Sequence, residues 1–112
     1  MEKTMENTFP KASVMRFADK VEYADGGVVS KQVLRNEAGN ITLFAFDQGQ
    51  GLSEHTAPFD ALVQVLDGEV EIRIGGSPHR LKTGEAVIIP AGVPHALQAV
   101  RRFKMLLTMI KG

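Results

Sequence analysis

No window of this chain sustains the 3.6-residue apolar period of a helix. Glycine and proline instead cut it into short β-branched and aliphatic segments. Asp25-Gly26-Gly27 is a turn, after which Val28–Arg35 reads as a strand ended by Asn36-Glu37-Ala38-Gly39-Asn40. Ile41–Phe46 follows, bounded by Asp47-Gln48-Gly49, and Ala61–Leu66 is almost continuously apolar up to the break at Gly68. Glu69–Ile74 alternates strictly, which predicts Glu69, Glu71 and Arg73 in water and Val70, Ile72 and Ile74 packed inward. Gly75-Gly76 is a hairpin signal and His79–Lys82 leads on to Gly84. Ala86–Ile89 stops at Pro90, and His95–Val100 and Phe103–Ile110 close the series. Met1–Ser13 reads as a loose arm or short edge strand, and Ser13–Tyr23 has only a weak apolar pattern. Many short strands between such turns make an all-β sandwich or barrel, and periodicity alone does not choose between the two.

At 112 residues the chain can bury roughly two-thirds of its unfolded surface, enough for one core. Lysine plus arginine equals aspartate plus glutamate at 13 each, so no broad basic field favours nucleic acid or anionic lipid. No apolar run approaches the ~20 residues that cross a bilayer, and the mixed-charge N-terminus is unlike a secretory signal. Without cysteine there is no disulfide, thiol nucleophile or thiolate metal site. The expected location is cytoplasmic.

Two segments carry the chemistry. Gly49-x5-His55-x-Ala57-x3-Ala61-x6-Gly68 is followed by Gly84-x5-Pro90-x-Gly92-x2-His95, and strand parity aims each histidine at the side of its apolar neighbours. This spacing resembles the two motifs of the small single-domain cupins, an RmlC-like jelly roll or double-stranded β-helix. The likeness runs from about residue 41 to 110, with residues 1–40 as an N-terminal arm and strands of the same single domain. The chain resembles a subgroup of small bacterial cupins with a degenerate metal motif. The second motif departs at its end, where the family's asparagine is Ala99.

Metal-binding cupins converge three histidines and a glutamate inside the barrel. Carried over residue by residue, the resemblance makes His55 and His95 metal ligands, while the other two ligand positions fall on Ala57 and Ala61, which have no donor atoms. Two imidazoles would hold a divalent ion (Zn, Ni, Fe or Mn) weakly, or none at all. Asp60 becomes a third donor only if Pro58 breaks the strand parity and swings it inward. Glu54, Gln64 and Gln98 are out of phase, and His79 falls in a hairpin as an exposed bystander. The alanines enlarge and dry the cavity, so the substrate pocket is expected to comprise His55, Ala57, Ala61, Val63, His95 and Met105.

The reading that follows is a binding module for a small molecule. The alternative is an enzyme of dioxygenase, isomerase or lyase type in which His55 and His95 act on a small metabolite. A stand-alone transcription factor is not expected, because no helical partner for the barrel is legible. Small cupins resemble one another in pairing through edge strands, and here Phe103–Ile110 is apolar on both faces. A strand buried on both faces implies a second cover, which is expected to be the partner of a homodimer.

Overall fold

The computed structural model describes residues 9–111, so the predicted arm over residues 1–8 lies outside the described residues, and residues 9–13 form no strand. Nine strands follow: β1 (Val28–Asn36), β2 (Gly39–Phe46), β3 (Gly51–His55), β4 (Phe59–Asp67), β5 (Glu69–Ile74), β6 (Ser77–Lys82), β7 (Ala86–Ile89), β8 (His95–Ala99) and β9 (Phe103–Lys111). They make two antiparallel sheets, ordered β1-β2-β9-β4-β7 and β3-β8-β5-β6. From β2 onward the chain repeatedly crosses between the sheets, which is the jelly-roll winding expected from the motifs.

The inward faces of both sheets build the main core. Phe46 stacks on Phe103 with ring centroids 4.7 Å apart and planes inclined by 7°. Around this pair Val63, Val65 and Met105 from one sheet meet Val70, Ile72, Leu97 and Ala99 from the other. The alternation in β5 explains why Val70 and Ile72 point there. Glu69, expected in water, is instead only 9% exposed. Its backbone carbonyl accepts from Val100 and Arg101 N–H at the crossing into β9, and Arg80 and Arg101 lie over its carboxylate at 3.3 and 3.6 Å. Long cationic side chains thus cover an outward-facing position that parity alone assigns to solvent.

The outward face of β9 is apolar for a reason within the chain. Leu43, Ala45, Val33 and Leu106 pack with Val21, and Phe9, Phe17 and Tyr23 close over them as a second small core. The weakly patterned segment before β1 is therefore a lid on the outside of the larger sheet. That cover accounts for part of the two-faced apolarity of β9 without a partner subunit.

Polar contacts fasten the lid. Tyr23 donates to the Asp67 carboxylate, the Arg102 guanidinium lies 4.4 Å over the Tyr23 ring, and Lys104 donates to the Ala18 carbonyl at 2.6 Å. Burial first, and then the bond to Asp67, push the Tyr23 phenol well above its ordinary value of 10.0. The unfolded chain therefore ionises first as pH rises, so this contribution to stability is complete below about pH 10 and is lost above it. Thermal unfolding followed from pH 8 to 11 should show a steeper alkaline decline for the native protein than for Tyr23→Phe. Parallel declines would mean that the phenol does not hold the lid.

Candidate functional site

β3 is an edge strand whose hydrogen-bonded neighbour in the sheet is β8. Leu52 sits opposite Leu97, and His55 sits opposite His95. Three steps along β3 thus match two along β8, so a β-bulge at Ser53–Glu54 takes up the extra residue. The bulge matters because His55 is in phase with Ala57 and Ala61 but out of phase with Leu52, so strict alternation from Leu52 would turn it to the outer face. With it, Leu52 and His55 share the inward side with Leu97 and His95.

The two imidazoles meet edge to face, with ring centroids 4.4 Å apart and planes at 60°. His95 is 9% exposed and continues the inward row of Leu97 and Ala99, whereas His55 is exposed. The pair therefore forms a step from core to solvent at one end of the barrel. Each ring is oriented in the same way: His55 Nδ1 lies 2.7 Å from the Ser53 carbonyl, and His95 Nδ1 lies 2.9 Å from the Val93 carbonyl. A carbonyl only accepts, so both Nδ1 atoms carry the proton, and in the neutral rings both Nε2 atoms keep a lone pair. The fold thus presents two imidazole acceptors side by side.

The loops that bear the histidines are pinned to each other. Gly92 N–H donates to the Ala57 carbonyl at 2.8 Å, and Ala91 N–H donates to Asp60 Oδ1 at 2.9 Å. Asp60, expected to reach the site only through a break in strand parity, is thus spent on tethering the Pro90–His95 loop to the start of β4. Glu54, Gln64 and Gln98 are exposed, as is His79 on the edge strand β6.

The expected pocket residues divide. Ala57 lies in the loop that follows His55, half-buried, and Ala61 is buried at the start of β4, so both belong to the histidine end. Val63 and Met105 are each 1% exposed and sit further along the strands within the packed core. The rungs explain the difference: Ala61 lies opposite Met109 and Ile89, Val63 opposite Leu107 and Val87, and Met105 opposite Val65 one rung deeper. On β9 it is therefore Met109, partly buried, that shares the rung of Ala61. Among the described residues no group of three or more His, Cys, Asp or Glu side chains is placed to hold a metal ion. No helix among them is long and apolar enough to cross a membrane.

Comparison with known proteins adds a family to this geometry. The cupin domain family matches residues 42–110. A conserved Streptococcus pyogenes protein of unknown function is 35% identical, with a TM-score of 0.88 over 93% of this chain and 91% of that one. A cupin superfamily protein from Desulfitobacterium hafniense is 27% identical, with a TM-score of 0.86 over 92% of this chain and 94% of its own. A cupin 2 conserved barrel domain protein from Leptotrichia buccalis is 42% identical, with a TM-score of 0.81 over 84% of this chain, which spans 46% of that longer one. Among curated proteins none matches.

Proposed function

The chain belongs to the cupin domain family, and we propose that its barrel binds a small, weakly polar molecule where His55 and His95 meet. The observation that carries this reading is the matched orientation of the two rings, each with Nδ1 committed to a backbone carbonyl. A hydroxyl or amide N–H on the ligand would donate to an Nε2 atom, while Ala57, Ala61 and Met109 offer apolar contact beside it. A few convergent polar groups against apolar walls is the usual make-up of a small-molecule site.

The divalent metal that the family implies finds two of its four donors here. Ala57 and Ala61 contribute none, Asp60 is engaged by Ala91 N–H, and a catalytic zinc site ordinarily has three protein ligands. The residues present therefore do not make the family's metal centre, and an ion held by two imidazoles would complete its shell with water and bind weakly. Proton transfer by an imidazole is the second reading, favoured by the free lone pairs. It lacks a carboxylate partner to stabilise the charged ring, which places binding ahead of catalysis.

Thermal-shift screening against small hydroxyl- and carbonyl-bearing metabolites tests the proposal. A true ligand at a hundred times its Kd stabilises by about 2.7 kcal/mol. That gain is expected to vanish in His55→Ala and His95→Ala, both of which should fold, because one ring is exposed and the other ends the core. A gain that persists in both variants would place the ligand elsewhere. A gain abolished by chelator would favour the metal reading instead.

A further inference from the structure

At the histidine end, the inward face of the larger sheet turns from apolar to polar toward β1. The rung of Ala61 and Met109 continues to Asn40 on β2 and Arg35 on β1, and the next rung runs from Leu107 to Thr42 and Gln32. Leu107 and Met109 pack against the main core, so the side chains opposite them share the inward side. Thr42 Oγ1 donates to Asn40 Oδ1 at 3.4 Å, which sets both on one face of β2. Arg35 reaches that face through a second bulge. The β1–β2 register shifts between Gln32 and Leu34. Strict alternation would point Gln32 and Arg35 to opposite faces, whereas the shift brings both inward. One bulge thus re-aims Arg35 on β1 as another re-aims His55 on β3, and bulges recur where a side chain is turned toward a site.

We propose that this polar strip holds the anionic end of the ligand, which is therefore a small hydroxy acid. Its carboxylate meets Arg35 and Asn40, and its hydroxyl donates to the histidine pair. Resting on the reading of His55 and His95 above, this adds an anionic end to the weakly polar one seated between the rings. The two walls are chemically complementary. The histidines offer acceptors, the two Nε2 lone pairs left by the bonds from Nδ1. The strip offers donors: the Arg35 guanidinium, the Gln32 amide, and the Asn40 amide N–H groups, since Thr42 occupies Asn40 Oδ1. A guanidinium matches a carboxylate with two parallel hydrogen bonds.

Nothing nearby neutralises the strip. Arg35 is the one charged side chain on either rung. Among the described residues it pairs with no carboxylate, and Asp60 beside Ala61 is held by Ala91 N–H. The way in is open, because Ser30 on the inward side of β1 is exposed and Gln32, Asn40 and Thr42 are only half-buried. Facing sheets lie about 10 Å apart, so the carbon chain that joins the two ends of the ligand is short.

Isothermal titration tests this with lactate, glycerate and β-hydroxybutyrate, each against its uncharged alcohol: propylene glycol, glycerol and β-butylene glycol. At least one acid is expected to bind the native protein about tenfold or more tighter than its alcohol, as hydrogen bonds to a charged group allow. In Arg35→Met, at an exposed position, the acid should weaken to the level of the alcohol while the alcohol is unchanged. Asn40→Asp still accepts from Thr42 but sets a negative charge on the strip, and should weaken the acid at least as much. Arg73→Met removes an exposed positive charge from the outer face of the smaller sheet and should bind like the native protein. His55→Ala should weaken acid and alcohol alike. Equal binding of acid and alcohol by the native protein, or a preference for the acid that survives Arg35→Met, would overturn the anionic end and leave the histidine site standing. Failure of all three acids to bind would do the same, the histidine site then resting on the neutral compounds of the thermal-shift screen. Acid binding untouched by His55→Ala would overturn the histidine reading and this one with it.

Discussion

Phe103→Ala is expected to lower the stability of the fold by about 3–5 kcal/mol, the range for emptying a large aromatic site in a packed core. Phe103 is fully buried and stacks on Phe46, and it starts β9, the strand that joins β2 to β4 in the larger sheet. Relaxation cannot close the gap from the β4 side. Gly68 approaches so closely there that a Cβ would lie 2.8 Å from Phe103 Cα, and the backbone is already in contact. A domain of this size is stable by only 5–15 kcal/mol, so the variant should unfold at markedly lower urea with an unchanged denaturant dependence. Phe103→Leu, which keeps most of the volume, should lose clearly less. A loss below about 1 kcal/mol for the alanine variant would mean that the stacked pair is not the centre of the core.

That centre was legible in the sequence because its signals are local. The alternation of Val70 and Ile72, the apolar run Ala61–Leu66 and the Gly and Pro breaks each act within a few residues, and the spacing of the two histidine motifs supplied the winding. What stayed hidden is set by register and by contacts distant in sequence. The extra residue at Ser53–Glu54 that turns His55 inward is a mismatch between β3 and β8, and neither strand reveals it alone. Asp60 reads as a free carboxylate until the Pro90–His95 loop is laid against it. The segment around Phe17 and Val21 has too little periodicity to announce itself, yet it covers the part of the outer face of β9 around Leu106, which by pattern alone requires a partner. Glu69 looks solvent-facing by parity because its arginine covers come from β6 and the β8–β9 turn.

Gly51→Ala should dismantle the histidine pair without touching either histidine. A Cβ at Gly51 would sit 2.1 Å from the Leu97 carbonyl oxygen, and the obstacle is backbone that cannot rotate away. β3 would have to move off β8, and as an edge strand it has no neighbour on its other side in the sheet to hold it. Overpacking of this kind costs about 1–3 kcal/mol, and here the displacement falls on the ladder that sets His55 opposite His95. The expected result is a folded but weakened protein that has lost the contact between the two rings, seen as the disappearance of the nuclear Overhauser effect between them, and that matches His55→Ala in ligand response. Gly76→Ala separates this from simple destabilisation. Its φ of +86° strains any L side chain, yet nothing lies within 4 Å of the new Cβ, so stability should fall by about 1–2 kcal/mol while the rings stay together. Were Gly51→Ala to keep both the ring contact and the ligand response, close approach of β3 to β8 would not be what assembles the site.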